Sequence, residues 1–469
     1  MGNHTIEKIG GTSMSRFGEV MNNVIIGSRK GAELYNRVFV VSAYSGITNL
    51  LLEDKKTGEP GVYGFIAKDS RNWPEALEKV RAKMLEYNRS FESIGLDVAD
   101  ADKFVNERID AIRECLKYIM FLRSAGHSKP SEYLPSTREF LAALGEAHSA
   151  YNSARILRAN GVNARFVDLS GWMSPEIMSL DEAILSAFKD IEFDKEMPIV
   201  TGYVKYDEGI MKRFDRGYSE ITFSKIAVLT DAREGIIHKE FHLSTGDPKL
   251  IGVDKVKIIG NTNFDIADQL SDMDMEAIHS KAAKEMEMKN IPIRVKNAFD
   301  PEHPGTLISR DYVSPTPRVE MICGRGDLIA LEVHDPEMVG SVGYDHKLTE
   351  CLARNGINYI AKNTNANTIT HYIPQKSKNI DACMEEMRRI FVHASVTETR
   401  VAVVSVIGTN MKIPGFLAKA AKALYEADIN VLALDQVMRQ VNIQFIVSRD
   451  DFKKAQIVLH REFVENANS

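Results

Sequence analysis

A lysine followed closely by two glycines, Lys8-Ile9-Gly10-Gly11, is the arrangement in this chain that most directly suggests chemistry. Adjacent glycines remove side-chain bulk, so the backbone can approach a ligand closely. Successive N–H groups in such a turn form a concave anion site, to which Lys8 adds a full positive charge. The oxygens of a transferring phosphoryl group need this kind of neutralisation. The turn therefore indicates phosphate chemistry, although its spacing is not that of a P-loop.

Two further segments carry groups that bind charged ligands. Gly145-Glu146 places a glycine inside a helical pattern. That glycine costs about 1 kcal/mol relative to alanine, which indicates close packing or ligand approach, the alternative being a solvated glutamate. In the segment 213–220 an arginine can hold a carboxylate through two bonds, and Glu220 can receive an amine. The alternative for this segment is an ordinary helix start capped by Ser219.

Polar residues also close two later segments. Val228-Leu229-Thr230-Asp231 is interpreted as the end of a strand, at the sheet edge where α/β folds bind nucleotides. Thr245-Gly246-Asp247-Pro248 follows one loop later, and its alternative is a simple turn, because Gly-Asp-Pro is typical of turns.

Strands and helices alternate in the part of the chain that must position these residues. Residues 5–9 and 37–41 are predicted strands, with a helix over 16–26 between them. Later strands are predicted at residues 164–167, 198–203, 225–230 and 291–295, and residues 72–123 are predicted to be mostly helical. This order predicts an α/β fold whose loops meet at the carboxyl ends of parallel strands.

The last third of the chain contains a weak internal repeat. Residues 354–358 and 426–430 each follow an amphipathic helix and begin a strand, and each unit continues with a second strand and a closing helix. The pattern β-α-β-β-α, found twice, predicts two ferredoxin-like units, the alternative being a chance similarity. Proline and glycine at residues 300–305 and 314–317 mark the boundary before them.

Composition excludes several classes of protein. The 469 residues carry a net charge of −6 and no basic run, so nucleic-acid binding is not indicated. Four cysteines without a C-x-x-C pair argue against a disulfide framework or structural zinc and favour a reducing compartment. No stretch approaches the ~20 apolar residues of a membrane span. With no secretory signal evident, a soluble, cytoplasmic protein is predicted.

In sequence order, these motifs resemble those of the aspartate kinases. The family's Lys-Phe-Gly-Gly-Thr-Ser is matched by residues 8–13, its V-V-S-A-x-x-G-x-T-N loop by residues 40–49, and its Gly-Glu helix by Gly145-Glu146. Its G-R-G-G-S-D loop is similar to the altered residues 215–220, and its I-P-I-x-V strand to residues 291–295. The tandem repeat resembles the paired ACT regulatory domains of that family. The resemblance covers nearly the whole chain.

The resemblance implies an amino-acid-kinase-like α/β/α sandwich with a mostly parallel sheet in residues 1–312, including a helical cap or insertion at 72–135. It implies two C-terminal ferredoxin-like α+β ACT domains at residues 318–394 and 398–466. The implied reaction transfers the γ-phosphoryl group of ATP to the side-chain carboxylate of L-aspartate, giving 4-phospho-L-aspartate. Mg²⁺ would bridge the phosphates without protein side-chain ligands. ACT domains further imply an amino-acid effector and a homodimer or a dimer of dimers.

By the same resemblance, each candidate residue receives a role. The phosphoryl group would be met by Lys8, Gly10 and Gly11. Aspartate would be held by Ser42, Thr48, Glu146, Arg216, Ser219 and Glu220, with Arg216 on its α-carboxylate and Glu146 on its ammonium. The nucleotide would contact Thr230, Asp231, Asp247 and Pro248. An effector would bind near Asn358 and Asn430.

Several positions depart from the family pattern. Tyr218 and Glu220 replace a glycine and an aspartate, and Glu276 stands where a lysine is common, a cation that Lys281 could supply instead. These changes resemble a divergent subgroup associated with ectoine synthesis. Ile360 and Leu432 are apolar where an effector-binding carboxylate is usual, which predicts weak or absent inhibition by lysine.

Two alternatives to an aspartate kinase remain at this point. The first is another acid kinase of the same fold, such as a glutamate or carbamate kinase, against which the tandem repeat argues. The second is an effector-binding regulatory subunit whose kinase site has decayed. Tyr218 and Glu276 favour that subunit, and the intact segments around Lys8 and Thr48 oppose it.

Overall fold

The chain folds into two compact units. The computed structural model describes residues 2–214, 217–273 and 278–466. One unit combines Met1–His242 with Ile278–Arg310, and the other combines Leu243–Ala277 with Asp311–Ser469. Among the described residues, no helix has both the length and the apolar character needed to cross a membrane.

Fourteen strands and seventeen α-helices are found in the described residues. The strands are β1 (Thr5–Ile9), β2 (Arg37–Val41), β3 (Ala164–Val167), β4 (Met197–Thr201), β5 (Glu234–Lys239), β6 (Asn261–Asn263), β7 (Ile293–Asn297), β8 (Thr306–Ser309), β9 (Met321–His334), β10 (Ala361–Thr364), β11 (Thr368–Pro374), β12 (Ser395–Ile407), β13 (Val431–Asp435) and β14 (Asn442–Ser448).

The α-helices are α1 (Gly11–Met14), α2 (Phe17–Val20), α3 (Ile47–Leu51), α4 (Val62–Ala67), α5 (Trp73–Ser90), α6 (Val98–Ser124), α7 (Pro130–Ala159), α8 (Leu180–Phe188), α9 (Ile210–Phe214), α10 (Tyr218–Leu229), α11 (Pro248–Ile251), α12 (Phe264–Asp272), α13 (Ser280–Met288), α14 (Tyr344–Arg354), α15 (Ile380–Ile390), α16 (Phe416–Glu426) and α17 (Phe452–His460). Single 3-10 turns occur at Gly31–Leu34, Glu92–Ile94 and Pro336–Met338, and π turns extend α2 and α17 at Met21–Ile25 and Arg461–Glu465.

The first unit is built on a mostly parallel sheet, as predicted. Its strands lie in the order β3-β4-β2-β1-β5-β7-β8, and only β8 runs antiparallel to its neighbour β7. Every residue of β2 and β4 is buried, which explains the uninterrupted apolar run of a strand covered on both faces. In the central strand β1, Lys8 lies in register with Val40 of β2 and Ile237 of β5. The carboxyl ends of these strands therefore form one edge.

Long helices occupy the region predicted to be helical. Helices α5 and α6 fall within residues 72–135, but α7 begins at Pro130 and runs without interruption to Ala159, through Pro135. The helix that carries Glu146 is thus continuous with the helical insertion. The four cysteines are free, with Cys323, Cys351 and Cys383 buried.

The second unit contains the predicted repeat, but the two copies interlock. Its sheet has the order β10-β11-β9-β12-β14-β13, all antiparallel. The first repeat has a core that includes Leu331, Ile373 and Val396, so it takes the start of β12. The second repeat has a core that includes Ile322 and Phe445, so it takes the start of β9. The second repeat therefore takes the start of β9 from the range 318–394, which the sequence assigned to the first repeat, and the first repeat extends to Val396, between the two predicted ranges.

The segment 243–277 also differs from its predicted place. The sequence grouped it with residues 1–312, but in the structure it belongs to the second unit. Thr245 Oγ1 lies 2.9 Å from His460 Nε2, and Thr262 Oγ1 donates to Glu320 Oε2 at 2.8 Å. These contacts join residues more than fifty positions apart, which no local sequence pattern reveals.

One predicted strand is wrong. Residues 225–230 lie at the end of helix α10, and the neighbouring strand of the sheet is β5, at 234–239. Ile221, Phe223 and Ile226 are all buried within α10. A helix covered on most sides lacks the one-sided pattern that separates helices from buried strands.

Candidate functional site

The glycine turn links β1 to the short helix α1 at the carboxyl edge of the sheet. Gly10 precedes the helix in an extended conformation, with φ −73° and ψ 159°. A Cβ on Gly11 would lie 2.5 Å from the carbonyl oxygen of Ala43, so only glycine lets this turn pass so close to the loop after β2. The first N–H groups of α1 have no acceptor within the helix, as at any helix start. The turn thus uses its glycines for close approach.

Lys8 forms an ion pair with Glu220 beside this turn. Lys8 Nζ lies 3.2 Å from Glu220 Oε1, and both side chains are largely buried, with 13% and 14% of their surface exposed. The second oxygen, Glu220 Oε2, accepts a hydrogen bond of 2.5 Å from the backbone N–H of His279. Burial would raise the pKa of Glu220, but the charges of Lys8 and Lys239 together with that N–H lower it below its ordinary value. Glu220 is therefore ionised at neutral pH and holds the ammonium group of Lys8 in place.

Glu146 forms a second centre with two serines. Ser219 Oγ donates to Glu146 Oε1 at 2.7 Å, and Ser42 Oγ donates to Ser219 Oγ at 3.3 Å. The alternative of Ser219 as a helix cap is wrong, because Gly217 occupies the cap position of α10. A Cβ on Gly202 would lie 2.8 Å from Glu146 Oε2, so the end of β4 must pass close to this carboxyl group.

Burial raises the pKa of Glu146 to about 8, against the opposing effects of the Ser219 hydrogen bond and the Lys8 charge. Among the described residues, Glu146 Oε2 is buried with no hydrogen-bond partner. A buried carboxyl group with one unsatisfied oxygen is expensive to ionise unless a cation arrives. The arrangement is therefore suited to receive an ammonium group.

The loop after β2 and the helix α3 carry two further residues predicted to hold aspartate, Ser42 and Thr48. Thr48 lies half-buried in α3, which begins after the positive-φ residue Gly46. The N–H of Ser42 donates to the carbonyl oxygen of Ile9 at 3.2 Å, so the loop after β2 is tied to the end of β1. Arg216 lies outside the described residues. The other residues predicted for the phosphoryl group and for aspartate lie in the first unit and are linked by the contacts given above: Lys8, Gly10, Gly11, Ser42, Glu146, Ser219 and Glu220.

Of the two departures from the family pattern next to Ser219, Tyr218 is buried and Glu220 is largely buried. Tyr218 begins α10, and its ring meets the Tyr203 ring edge-on at 5.9 Å. Glu220 carries the Lys8 pair described above. Glu276 lies outside the described residues, and Lys281 Nζ lies 5.4 Å from the centre of the Phe214 ring.

The prediction of nucleotide contacts at Thr230 and Asp231 loses its basis. Thr230 ends α10, and its hydroxyl donates to the carbonyl oxygen of Ile226 at 2.7 Å. Thr230 Oγ1 also lies 2.8 Å from His4 Nε2, just before β1 begins. These two residues therefore lie at the amino-end edge of the sheet, whereas Gly10 follows the carboxyl end of β1.

Asp247 and Pro248 lie in the second unit. The Asp247 side chain accepts from the backbone N–H of Lys249 and caps α11, which begins at Pro248. This is the turn chemistry that the sequence offered as the simpler alternative.

The sequence missed two charged residues at the end of β5. Lys239 is the last residue of that strand and lowers the pKa of Glu220, as stated above. Glu240 Oε1 accepts from Ser13 Oγ at 2.7 Å and lies beside the glycine turn. The apolar run Gly235-Ile236-Ile237, which is followed by charged residues, could have identified them. It was missed because residues 225–230 were taken for the strand.

The two predicted effector positions are exposed and precede their strands. Asn358 lies before β10 begins at Ala361, and Asn430 directly precedes β13. Ile360 is half-buried and Leu432 is exposed, and both are apolar as the sequence states.

Comparisons with known proteins agree with this architecture. The chain matches the amino acid kinase family over residues 3–297 and the ACT domain over residues 404–463. Aspartate kinase Ask_Ect of Stutzerimonas stutzeri (strain A1501) is 49% identical over 467 residues, which are 99% of this chain and 98% of that protein. Aspartokinase 1, chloroplastic, of Arabidopsis thaliana is 25% identical over 453 residues, or 92% of this chain and 75% of that protein.

Two solved structures share the fold. E. coli aspartokinase III in complex with aspartate and ADP has a TM-score of 0.71 at 19% identity, covering 98% of this chain and 99% of that one. Clostridium acetobutylicum aspartate kinase has a TM-score of 0.70 at 19% identity, covering 98% of this chain and 100% of that one.

Proposed function

Because the chain belongs to the amino acid kinase family, in its aspartate kinase branch, we propose that it phosphorylates the side-chain carboxylate of L-aspartate with ATP. An oxygen of that carboxylate attacks the γ-phosphorus, the bond to the β,γ-bridging oxygen breaks, and ADP leaves. The products are 4-phospho-L-aspartate and ADP. No general base is needed, since the attacking carboxylate is already ionised at neutral pH.

The observation that carries this proposal is the pairing of Lys8 with Glu220 beside the glycine turn. Glu220 holds the Lys8 ammonium group where β1 ends, so the positive charge is in place before any ligand arrives. The N–H groups at the start of α1 would add hydrogen-bond donors at the same edge. Preorganised donors of this kind stabilise the charge of a transferring phosphoryl group without reorganising during the reaction.

Glu146 supports the choice of an amino acid as acceptor. Its buried carboxyl group, with one oxygen unsatisfied, would take the α-ammonium group of aspartate. Ser42, Ser219 and Thr48 would supply hydroxyl groups around it. Arg216 pairing with the α-carboxylate stays a prediction, as do nucleotide contacts by Asp247 and Pro248 and effector contacts by Asn358 and Asn430.

ATP would bring Mg²⁺ on its phosphates. No group of three His, Cys, Asp or Glu in the described part of the chain could hold a metal ion by itself. Mg²⁺ in kinases commonly uses one or two carboxylates together with substrate phosphates. Glu240, which lies beside the turn, fits that role, whereas Glu220 is committed to Lys8. The ion would supply further neutralisation of phosphate charge.

The finer parts of the proposal rest on the resemblance. An ACT-mediated dimer, a cytoplasmic location and weak inhibition by lysine stay predictions. The name of the 49% identical relative, Ask_Ect, supports a role in ectoine synthesis.

A coupled assay of ADP release tests the function. Aspartate should support turnover, whereas glutamate and an acceptor-free reaction should not. Release of ADP with glutamate alone would indicate another acid kinase, and no release with any acceptor would indicate a decayed site.

Lys8→Ala should lower kcat by about 10²–10³-fold or more, because it removes the main charge that meets the phosphoryl group. The matched control is Lys30→Ala at an exposed lysine, which should leave kcat unchanged. Near-normal turnover of a folded Lys8→Ala variant would remove Lys8 from the mechanism.

A further inference from the structure

Helix α5 of the helical insertion contacts the carboxyl edge of the first sheet through Tyr87. The Tyr87 hydroxyl donates to the carbonyl oxygen of Ser45, in the loop after β2, at 2.9 Å. The same hydroxyl lies 3.1 Å from the hydroxyl oxygen of Ser15, the residue that follows α1. Tyr87 therefore contacts two segments of this edge that are far apart in the sequence, one after β1 and one after β2.

Ser15 joins the glycine turn to the loop after β2. Its hydroxyl donates to the carbonyl oxygen of Gly11 at 3.1 Å and accepts from the backbone N–H of Ser45 at 2.8 Å. Because each hydroxyl carries one hydrogen, these two bonds and the bond from Tyr87 to Ser45 can form at the same time. Three hydrogen bonds thus connect the glycine turn, the loop after β2 and helix α5 in one network.

The ring of Tyr87 holds the same loop by stacking. The buried Tyr44, which directly precedes Ser45, has its ring centre 4.7 Å from that of Tyr87 at an interplanar angle of 22°. The ring of Phe91, at the end of α5, lies 6.2 Å from Tyr87, and His148 of α7 meets Tyr44 edge-on at 5.2 Å. Aromatic pairs of this geometry contribute stability beyond the area they bury. The loop is therefore held by α5 and α7 together.

The two segments that this network joins carry the two halves of the proposed reaction. The turn with Gly10 and Gly11 would meet the phosphoryl group, and the loop between Ser42 and Thr48 would hold aspartate. Transfer requires the acceptor oxygen and the phosphorus to be aligned and about 3–3.5 Å apart. Each segment keeps its own binding groups when the spacing between them changes. The spacing should therefore affect the rate of transfer more than the binding of either substrate.

We propose that Tyr87 is a positioning residue for phosphoryl transfer, which fixes the glycine turn relative to the loop after β2 through Ser15 and Ser45. Its effect on the rate rests on the proposed kinase function, whereas its hold on the two segments does not. Tyr87 acts through these segments and not by contact with a substrate. The helical insertion then does more than cover the sheet, because it sets the spacing between the phosphoryl donor and its acceptor.

Tyr87→Phe tests this proposal, because it removes the hydroxyl and keeps the ring that stacks on Tyr44. The kcat for ADP release should fall about tenfold, as expected for a small misplacement of the reacting groups, while KM for aspartate and for ATP stays within about twofold. Ser15→Ala removes the other side of the same network. The double variant should therefore be about as slow as the slower single variant, since the two losses are not independent.

The matched control is Tyr151→Phe on α7. The Tyr151 hydroxyl donates to Asp100 at 2.6 Å and its ring stacks on Phe104, so this substitution removes an equivalent bond away from the glycine turn. Its kcat should stay normal. An equal fall of kcat in Tyr151→Phe would indicate a general effect on the fold and overturn the proposal. A normal kcat in Tyr87→Phe, or a loss that appears in KM alone, would also overturn it.

Hydrogen–deuterium exchange gives a second readout that requires no turnover. In Tyr87→Phe the backbone N–H groups of residues 11–15 and 43–47 should exchange about fivefold faster, the effect of losing one hydrogen bond, while those of β4 stay unchanged. An unsubstituted chain that releases no ADP with aspartate would end the proposed function, and faster exchange in Tyr87→Phe would still support the hold on the two segments. Unchanged exchange in both segments would overturn the proposal whatever the activity.

Discussion

Two buried glutamates of the first unit, Glu7 and Glu146, have opposite environments. Glu7 accepts two hydrogen bonds from the guanidinium of Arg37, at 2.6 and 3.0 Å, and lies 2.7 Å from His238 Nε2. Arg37 in turn donates to the carbonyl oxygens of Val24 and Ile25. Glu146 accepts a hydrogen bond from the Ser219 hydroxyl, and the Lys8 charge and the backbone N–H groups of Tyr203 and Ala43 also favour its ionised form. Both carboxyl groups are almost completely buried, at 2% exposure each.

Their pKa values move in opposite directions for this reason. Burial would raise the pKa of Glu7, but the charge of Arg37 and the hydrogen bond from His238 lower it far below its ordinary value. Burial of Glu146 is compensated only in part, and its pKa rises to about 8. A carboxylate whose partners are all supplied by the fold stabilises the fold. A carboxyl group left short of partners would be stabilised by a cationic ligand, and this contrast is why we propose Glu146, and not Glu7, for ligand binding.

Glu7→Gln should lower the free energy of unfolding by about 3–5 kcal/mol, because it leaves a buried arginine without its counter-charge. Urea denaturation measures the change. Glu19→Gln, in the exposed pair with Arg16, is the matched control and should leave the midpoint unchanged. Since the pKa of Glu7 is lowered in the fold, its contribution is present above the unfolded pKa and is lost as pH falls through the folded value. The stability curves of the two proteins should therefore converge in acid. Parallel curves would show that the Glu7 cluster is not ionic.

Glu146→Gln should weaken substrate binding without lowering the stability of the fold. Glutamine can still accept the Ser219 hydrogen bond, but it lacks the charge for an ammonium group, so the KM for aspartate should rise about 100-fold. Unfolding free energy should be unchanged or higher, because a neutral amide is easier to bury. Glu139→Gln, on the same helix and bonded to Tyr203, should change KM by less than a few fold. A normal KM with loss of stability would assign Glu146 to the structural class instead.

Aspartate binding should depend on pH through Glu146. An ammonium group needs the carboxylate form, and the raised pKa of about 8 keeps the empty site protonated at neutral pH. Affinity should therefore rise about tenfold per pH unit from pH 6 towards 8 and then level off. Calorimetry in two buffers of different ionisation enthalpy should detect about one proton released per aspartate bound near pH 7. Glu146→Gln should abolish both effects.

The stability of the ligand-free protein should depend on pH in the opposite direction to aspartate affinity. A carboxyl group whose pKa is raised by folding binds its proton more tightly in the folded state. Its contribution to stability therefore falls as pH rises from the ordinary glutamate value towards about 8. This slope should disappear in Glu146→Gln, and saturating aspartate should reduce it in the unsubstituted protein.

The sequence was sufficient where a signal was local. The apolar run 37–41 predicts β2, the glycine pair predicts a close backbone approach, and the repeated helix–strand order predicts the second unit. Gly145 was expected to mark close packing, and a Cβ there would lie 2.9 Å from the Cβ of Ala43. In each case the residues that determine the structure are neighbours in the chain.

The sequence was insufficient where a contact depends on the order of strands. Glu7 and His238 meet because β1 pairs with β5, an arrangement that no window of either strand contains. Helix α10 was taken for a strand at its end because its buried residues show no one-sided pattern, and β5 was missed because it contains Glu, His and Lys. Because of the misplaced strand, Thr230 and Asp231 were predicted at the carboxyl edge of the sheet, which they do not occupy. Lys239 and Glu240, which follow the actual strand, were not identified.

The excursion of the chain between His242 and Ile278 has a practical consequence for anyone who edits the gene. A stop codon placed near residue 312, where a kinase fragment would ordinarily be cut, removes Glu320 and His460, the partners of Thr262 and Thr245. Phe264 and Ile251, which are buried in the second unit, would lose the rest of that unit. Such a fragment should precipitate and should not act as a catalyst without its regulatory unit. Variants that no longer respond to an effector are therefore better sought among full-length chains with single substitutions.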